Sequence, residues 1–398
     1  MRLTYIANLR LPTEKAYGIQ IAKTCEAFAS VATTNNQQPT TNNFNFEVEL
    51  IAPTRKNNIK KDFFEYYEVK RNFKFKIVWA PDFYWPGKLD KIAVNLKNFV
   101  SAILLCLYAL TQKEAVIYTR DEWPAYFLSF FKKNIIFEAH NFSSNRKLFY
   151  RRFRRRGARI VVISGGLKDD FVSFGFPENN LLIAPDGVDL DEFGIDTTKE
   201  EARKRFDLPL GKKIAVYTGH LYPWKGVGIL LEVAEYLHKS NVNYQILIFG
   251  GTKKDISDFE LNIHPSIRYL IKTKGMIPHQ EVAYILRAAD CALLTGKETE
   301  SISAKYTSPL KMFEYMASGC PIVAQGLSSF REVLNDENSF LVKPGNAKAL
   351  ADQIALILDD NNPEMAKKRA AKALKAFEDV KNYTWQKRAE KIKDFINV

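Results

Sequence analysis

The chain has 398 residues, 46% of them hydrophobic and 26% charged, a balance that excludes a disordered or fibrous protein. That length is more than one core of ordinary size uses, so two domains are expected. The formal net charge of +13 is unevenly placed: through Leu190 there are 28 Lys+Arg against 18 Asp+Glu, a net of +10, and the remainder has 30 against 27, a net of +3.

Cys25, Cys106, Cys291 and Cys320 stand singly in apolar runs with no C-x-x-C pair. They read as buried reduced thiols, which points to a reducing, cytoplasmic setting. Leu3–Ala7 is too short for a signal-peptide core and reads as a first strand. The longest apolar run, Phe99–Leu110, is twelve residues, short of the roughly 20 that span a bilayer, so no transmembrane helix is expected.

In chain order, β-rich runs at Leu3–Ala7, Phe46–Ile51, Lys76–Trp79, Ala115–Tyr118, Asn134–Phe137, Arg159–Ile163 and Leu181–Ala184 predict strands of the first half. Helix-length segments, among them Tyr17–Val31 and Lys91–Leu110, lie between them. The run Thr33–Asn45, rich in Thr, Asn and Gln, predicts a surface loop. A turn-rich stretch near Asp186–Thr198 marks a break. Beyond it, strands are expected at Lys213–Thr218, Tyr244–Phe249, Ile267–Lys272, Cys291–Thr295, Pro321–Ala324 and Phe340–Val342, with helices at Gly226–Lys239, Pro278–Ala288, Pro309–Ser318 and Ala347–Leu358. Strand–helix alternation means α/β architecture: two doubly wound domains in tandem, each with a parallel sheet covered on both faces. Ligands bind such sheets beyond the carboxyl ends of the strands.

Two segments sit at such places. In Tyr306-Thr-Ser-Pro-Leu-Lys-Met-Phe-Glu-Tyr-Met-Ala-Ser-Gly319, Ser308 reads as an N-cap, Pro309 as the first helical residue and Gly319 as the stop. Free N–H groups at Leu310 and Lys311, with the lysine itself, make an anion site suited to a diphosphate. Glu314, one turn on, can accept both hydrogen bonds of a vicinal ribose diol; it reads equally well as a surface Glu on an ordinary capped helix. The second segment, Val216-Tyr-Thr-Gly-His-Leu-Tyr-Pro-Trp-Lys-Gly226, runs from a strand through a turn into a helix. Gly219 and Gly226 permit close backbone approach, and Lys225 stands where a phosphate would sit.

Together these segments resemble the retaining glycosyltransferases of GT-B fold, family 4 type (glycosyl transferases group 1), and the resemblance covers most of the chain. Ala16–Phe28 is similar to the family's first glycine loop and helix, with Gly18 where the backbone approaches the donor phosphates. Phe137-Glu-Ala-His-Asn141 resembles the strand end that carries an active-site histidine, here His140. Val162–Gly165 and Ile183–Asp189 resemble the strands closing the first domain, Lys274-Gly-Met-Ile-Pro278 the turn that reads the nucleotide base, and Tyr383-Thr-Trp385 the opening of a last helix.

The resemblance implies two Rossmann-like domains facing across a cleft: residues 1–190 for the acceptor, residues 191–383 for a nucleotide-sugar donor, and a helix at 384–398 packed back on the first. It implies a hexosyltransferase that acts with retention on a glycan or lipid-linked acceptor, without cofactor or metal. His140, Lys225 and Glu314 would carry catalysis. Donor contacts would fall at Gly18, Gly219, His220, Lys225, Gly250, Met276, Ile277, Tyr306, Ser308, Pro309, Leu310, Lys311 and Glu314. Two positions depart from the pattern. Tyr306 stands where a second Glu usually holds the donor sugar, with Glu298 or Glu300 as nearby substitutes, and His220 stands where many members have Arg.

Asp169-Asp170 read as dipole partners opening a helix rather than as metal ligands. The basic first half interleaves cations and rings in Lys60–Tyr67 and Lys70–Lys76, and ends in Arg151-Arg-Phe-Arg-Arg-Arg156. No nucleic-acid module accompanies it, so an anionic membrane surface or a phosphorylated, lipid-linked acceptor fits better than nucleic acid; solvated helix faces remain an alternative reading. Two other functions stay open from sequence. One is a sugar-nucleotide-binding subunit without turnover. The other is a nucleotide-sugar epimerase.

Overall fold

A computed structural model describes residues 2–31, 47–112, 115–239 and 243–397. The predicted Thr33–Asn45 loop lies outside the described residues. The chain forms two compact units: Met1–Pro185 with Trp385–Val398, and Asp186–Thr384.

The first unit holds seven parallel strands: β1 (Arg2–Ile6), β2 (Glu47–Pro53), β3 (Lys74–Val78), β4 (Ala115–Thr119), β5 (Ile135–Ala139), β6 (Arg159–Val162) and β7 (Leu181–Ile183). Their order is β3-β2-β1-β4-β5-β6-β7. The interior strands β4 and β5 are buried throughout because helices cover both faces, so they read as unbroken apolar runs. The edge strand β3 carries Lys74 and Lys76 and is largely exposed. The Ala16–Ser30 helix packs against the last helix, Trp385–Asn397, so the C-terminus completes the first unit.

The second unit holds six parallel strands: β8 (Lys213–Thr218), β9 (Tyr244–Phe249), β10 (Ile271–Gly275), β11 (Cys291–Leu294), β12 (Ile322–Gln325) and β13 (Phe340–Val342). Their order is β10-β9-β8-β11-β12-β13, so the winding reverses between β8 and β11. Two cores lie on its two faces, one containing Val216, Leu294, Phe313 and Tyr315, the other Tyr217, Ile248, Leu293 and Ile354.

Four expectations shift. The units divide at Pro185/Asp186, because Asp186 N–H donates to Ser308 Oγ at 2.9 Å, Val188 bridges to Thr384 and Phe193 enters the second unit's core. Strand β10 begins at Ile271, after a Pro265–Ile267 turn of 3-10 helix that His264 caps. Asp169 and Asp170 lie inside the Gly165–Ser173 helix, whose start is capped by Ser164. The fourth concerns membranes. The apolar segment extends well beyond Phe99–Leu110: Gly87–Thr111, 25 residues of mean hydropathy 1.7, is long and apolar enough to cross a bilayer by length and composition. One side of its helix, through Ala93, Ala102, Leu105 and Ala109, is buried in the first unit.

Candidate active site

At the reversal point of the second sheet, the backbone runs on past the strand ends. Gly219 N–H donates to Phe249 O at 2.8 Å and Gly250 N–H to Gly275 O at 2.6 Å, which extends the ladder into the turns. Gly250 has φ +119°, and a Cβ there would lie 2.2 Å from Gly219 O, so only glycine fits. A Cβ on Gly219 would lie 3.7 Å from Lys225 Nζ and 3.9 Å from Lys311 Cδ; the two lysines therefore converge on this turn.

Lys225 ends a Pro223–Lys225 turn of 3-10 helix, and the following α-helix starts only at Ile229, not at Gly226 as the pattern predicts. Its carbonyl accepts from Thr295 Oγ1 at 2.8 Å, which ties the turn to the end of β11. Burial pulls its ammonium pKa down to about 8, against the opposing pull of Glu314. Lys311 is fully enclosed. Its Nζ sits 3.6 Å from the Tyr217 ring centroid and has no hydrogen-bond partner. Burial, then repulsion from Lys225, holds its pKa well below the ordinary lysine value.

Ser308 does not cap the next helix as expected, since its hydroxyl is taken by the Asp186 N–H. The helix Leu310–Ala317 follows Pro309 with no side-chain cap. Its first N–H groups, at Leu310 and Lys311, have no intrahelical acceptor and the positive end of the helix dipole lies there. Glu314 lies on the buried side of this helix, one turn on, and His279 Nε2 hydrogen-bonds its Oε1 at 2.9 Å. His279, which sequence reasoning passed over, is itself 3.8 Å from Glu192. Of the base-reading turn, Met276 is exposed, and Ile277 packs on the core. His220 stacks on Tyr222 at 5.0 Å, beside the Thr252–Asp255 capping box, and its carbonyl accepts from Tyr217 OH. Tyr306 is half-buried at the end of the Ser301–Ala304 turn, and Glu298 and Glu300 are exposed.

The remaining predicted residues belong to the first unit. His140 follows β5, and its Nε2 lies 2.6 Å from Glu138 Oε1. Burial alone would raise the Glu138 carboxyl, yet Arg388 at 2.9 Å, with His140 and Arg120, holds it well below the usual range. An ionised carboxylate only accepts, so His140 Nε2 carries the proton and Nδ1 keeps its lone pair. Burial and then Arg120 lower the His140 pKa to about 4, which leaves the ring neutral at pH 7. Tyr118 OH and Gln20 Nε2 also donate to Glu138. Gln20 belongs to the glycine-loop helix, so loop and histidine share one carboxylate. Gly18, expected against phosphate, is buried under Tyr67: a Cβ there would meet the phenol oxygen at 2.1 Å. Two arginines of the 151–156 cluster are engaged inside the unit, Arg152 by Ser129 and Arg154 by Phe174 O.

The sequence profile of the family described as glycosyl transferases group 1 matches residues 198–376. A D-inositol 3-phosphate glycosyltransferase of Corynebacterium efficiens is 28% identical over 223 residues, 52% of this chain and 48% of that protein. A phosphatidyl-myo-inositol mannosyltransferase of Mycobacterium leprae is 30% identical over 187 residues, 46% of each. The matches span about half the length of these curated relatives. In three dimensions, Anabaena HepE in complex with UDP and glucose superposes over 100% of this chain and 99% of its own, with a TM-score of 0.73 at 14% identity.

Proposed function

We propose that the chain, whose residues 198–376 match the glycosyl transferases group 1 profile and whose two units share the GT-B fold, is a glycosyltransferase of that group and moves a hexose from a nucleotide-sugar to a glycan or lipid-linked acceptor. The observation that carries this reading is the convergence of two ammonium groups, half-buried Lys225 and buried Lys311, on the Gly219 turn, with Glu314 one turn along the helix that Lys311 begins. A buried cation without a hydrogen-bond partner is costly, and a diphosphate resolves that cost. When the bond from the anomeric carbon to the diphosphate breaks, negative charge grows on the leaving oxygens. Two ammonium groups and the helix N-terminus stabilise it without a metal. Glu314 would take the ribose diol, which exchanges its contact with His279 for the ligand. Retention is proposed on the family resemblance.

The +10 excess of the first 190 residues suits an anionic acceptor. The names of both relatives carry an inositol bound to phosphate. We therefore place an alcohol bearing a phosphate, free or in a lipid, in the acceptor role, and the reaction in a reducing compartment, where four buried unpaired cysteines stay thiols. The test is a panel of nucleotide sugars read by thermal shift, followed by transfer assays with inositol phosphates and phosphatidylinositol. One donor should stabilise the protein, by about 2.7 kcal/mol at 100 times its dissociation constant. Transfer should persist in excess chelator. A donor that binds but is never consumed sinks the reading, and a need for added Mg²⁺ or Mn²⁺ sinks its metal-free part.

A further inference from the structure

The Asp90–Thr111 helix has a second side. Leu89, Ile92, Leu96, Ile103 and Leu107 are 37–57% exposed. Their spacings of three, four, seven and four put all five within about 60° of arc, along a stripe about 27 Å long. Such a stripe is normally the core-facing side of an amphipathic helix, but here the core-facing side is the opposite one, built from Ala93, Lys97, Ser101, Ala102 and Leu105. The chain entering the helix adds exposed rings: Trp79 (73%), Tyr84 and Trp85.

Charge around the stripe has one sign. From Lys91 to Gln112 there is no Asp or Glu, and Lys88 and Lys91 are exposed at the helix start. The nearest acids are occupied: Asp82 pairs with Lys97 at 2.9 Å, and Asp90 accepts from Trp85 N–H.

We propose that this face lies along an anionic lipid bilayer, with the helix in the membrane plane. The five aliphatic side chains would enter the boundary of headgroups and acyl chains, Trp79 and Trp85 the interface, and Lys88 and Lys91 would meet lipid phosphates. A second copy of the chain is the weaker occupant, because pairing this face with itself opposes two surfaces of the same positive sign, whereas anionic lipid supplies the missing charge. A spanning helix is the weaker alternative, because its other side, Lys97 and Ser101 among it, is buried in the first unit. The inference does not depend on the transferase reading, since binding is measured without any sugar.

The test uses the full chain with vesicles of phosphatidylcholine containing roughly 30 mol% phosphatidylglycerol, beside phosphatidylcholine alone. Wild type should co-sediment with the anionic vesicles only, and brominated lipid should quench its tryptophan emission. Ile92→Ser/Leu96→Ser/Ile103→Ser/Leu107→Ser should bind about tenfold more weakly or worse with an unchanged thermal midpoint. Lys88→Ser/Lys91→Ser should lose much of the salt dependence. Four results overturn the proposal: the quadruple variant binds as wild type does; binding is lost instead in Arg151→Ser/Arg155→Ser/Arg156→Ser; wild type ignores vesicles and forms a dimer that the quadruple variant lacks; or the protein resists an alkaline carbonate wash, as a spanning helix does.

Discussion

Lys311 sits where function and stability oppose each other. Its ammonium is enclosed over Tyr217 with no hydrogen-bond partner, so Lys311→Met, nearly isosteric and apolar, should stabilise the unliganded protein by about 1–3 kcal/mol while weakening nucleoside diphosphate binding. Denaturant melts and calorimetric titration would show it; a destabilised variant that binds normally would contradict it. Lys225→Met should lower turnover on the order of 10²–10³-fold, the effect of removing one charge-stabilising donor. Its pH behaviour has a definite sign. The folded value, about 8, lies below the ordinary 10.5, so this group's contribution to stability is present above 10.5 and is lost as pH falls through about 8. Diphosphate favours the protonated form, so nucleotide affinity should drop as pH rises past about 8, with proton uptake on binding there. Titrations in buffers of different ionisation enthalpy would detect that uptake. At this scale the sequence was partly legible. Lys225 and Glu314 could be picked out because each lies on a strand-to-helix turn or first helical turn. His279 and Glu138 could not, because their partners lie 35 and 250 residues away, at Glu314 and Arg388. Ser308 was misread for the same reason: its donor, Asp186, is 122 residues upstream.

The last helix is held to the first unit by a buried ion pair. Arg388 and Glu138 are both almost wholly buried, and Arg388 also reaches Thr24 Oγ1 and the carbonyls of Ala184 and Pro185. Arg388→Met leaves Glu138 buried with its main counter-ion gone and should cost about 3–5 kcal/mol of the first unit's stability. Adding Glu138→Gln should restore part of that loss, because the double variant no longer buries an uncompensated charge. Strictly additive losses in urea melts would count against this pairing. Elements were more legible than contacts. The interior strands were visible because parallel strands buried on both faces read as continuous apolar runs, whereas the part-exposed edge strands β3 and β10 were placed only by overlap. The helix Lys147–Arg155 was missed because basic residues dominate it, and Pro363–Val380 because charged residues of both signs interrupt its apolar period. The second did carry a usable signal in Asn362-Pro-Glu, an N-cap followed by Pro at the first helical position.

For the whole molecule, the two units are unequal as stretches of chain. Residues 186–384 are contiguous, carry a core on each face of their sheet, and are closed by the Val188–Thr384 bridge. Produced alone, this segment should fold and bind the nucleoside diphosphate within about tenfold of the full chain, since Lys225, Lys311 and Glu314 all lie on it. Residues 1–185 alone should aggregate, because the Trp385–Asn397 helix that packs on Ala16–Ser30 is missing; appending 385–398 through a flexible linker should rescue them. Light scattering and circular dichroism decide both cases. The same discontinuity sets an order of birth. A ribosome delivers the first unit's seven strands first, yet Glu138 meets Arg388 only after some 250 further residues have been added. At about 5–20 residues per second that interval is on the order of ten to fifty seconds, during which the second unit can fold and the first cannot finish. The nascent amino-terminal half is therefore the segment a holding chaperone would be expected to occupy, and emergence of the Trp385–Asn397 helix with Arg388 is the event that ends its need for one.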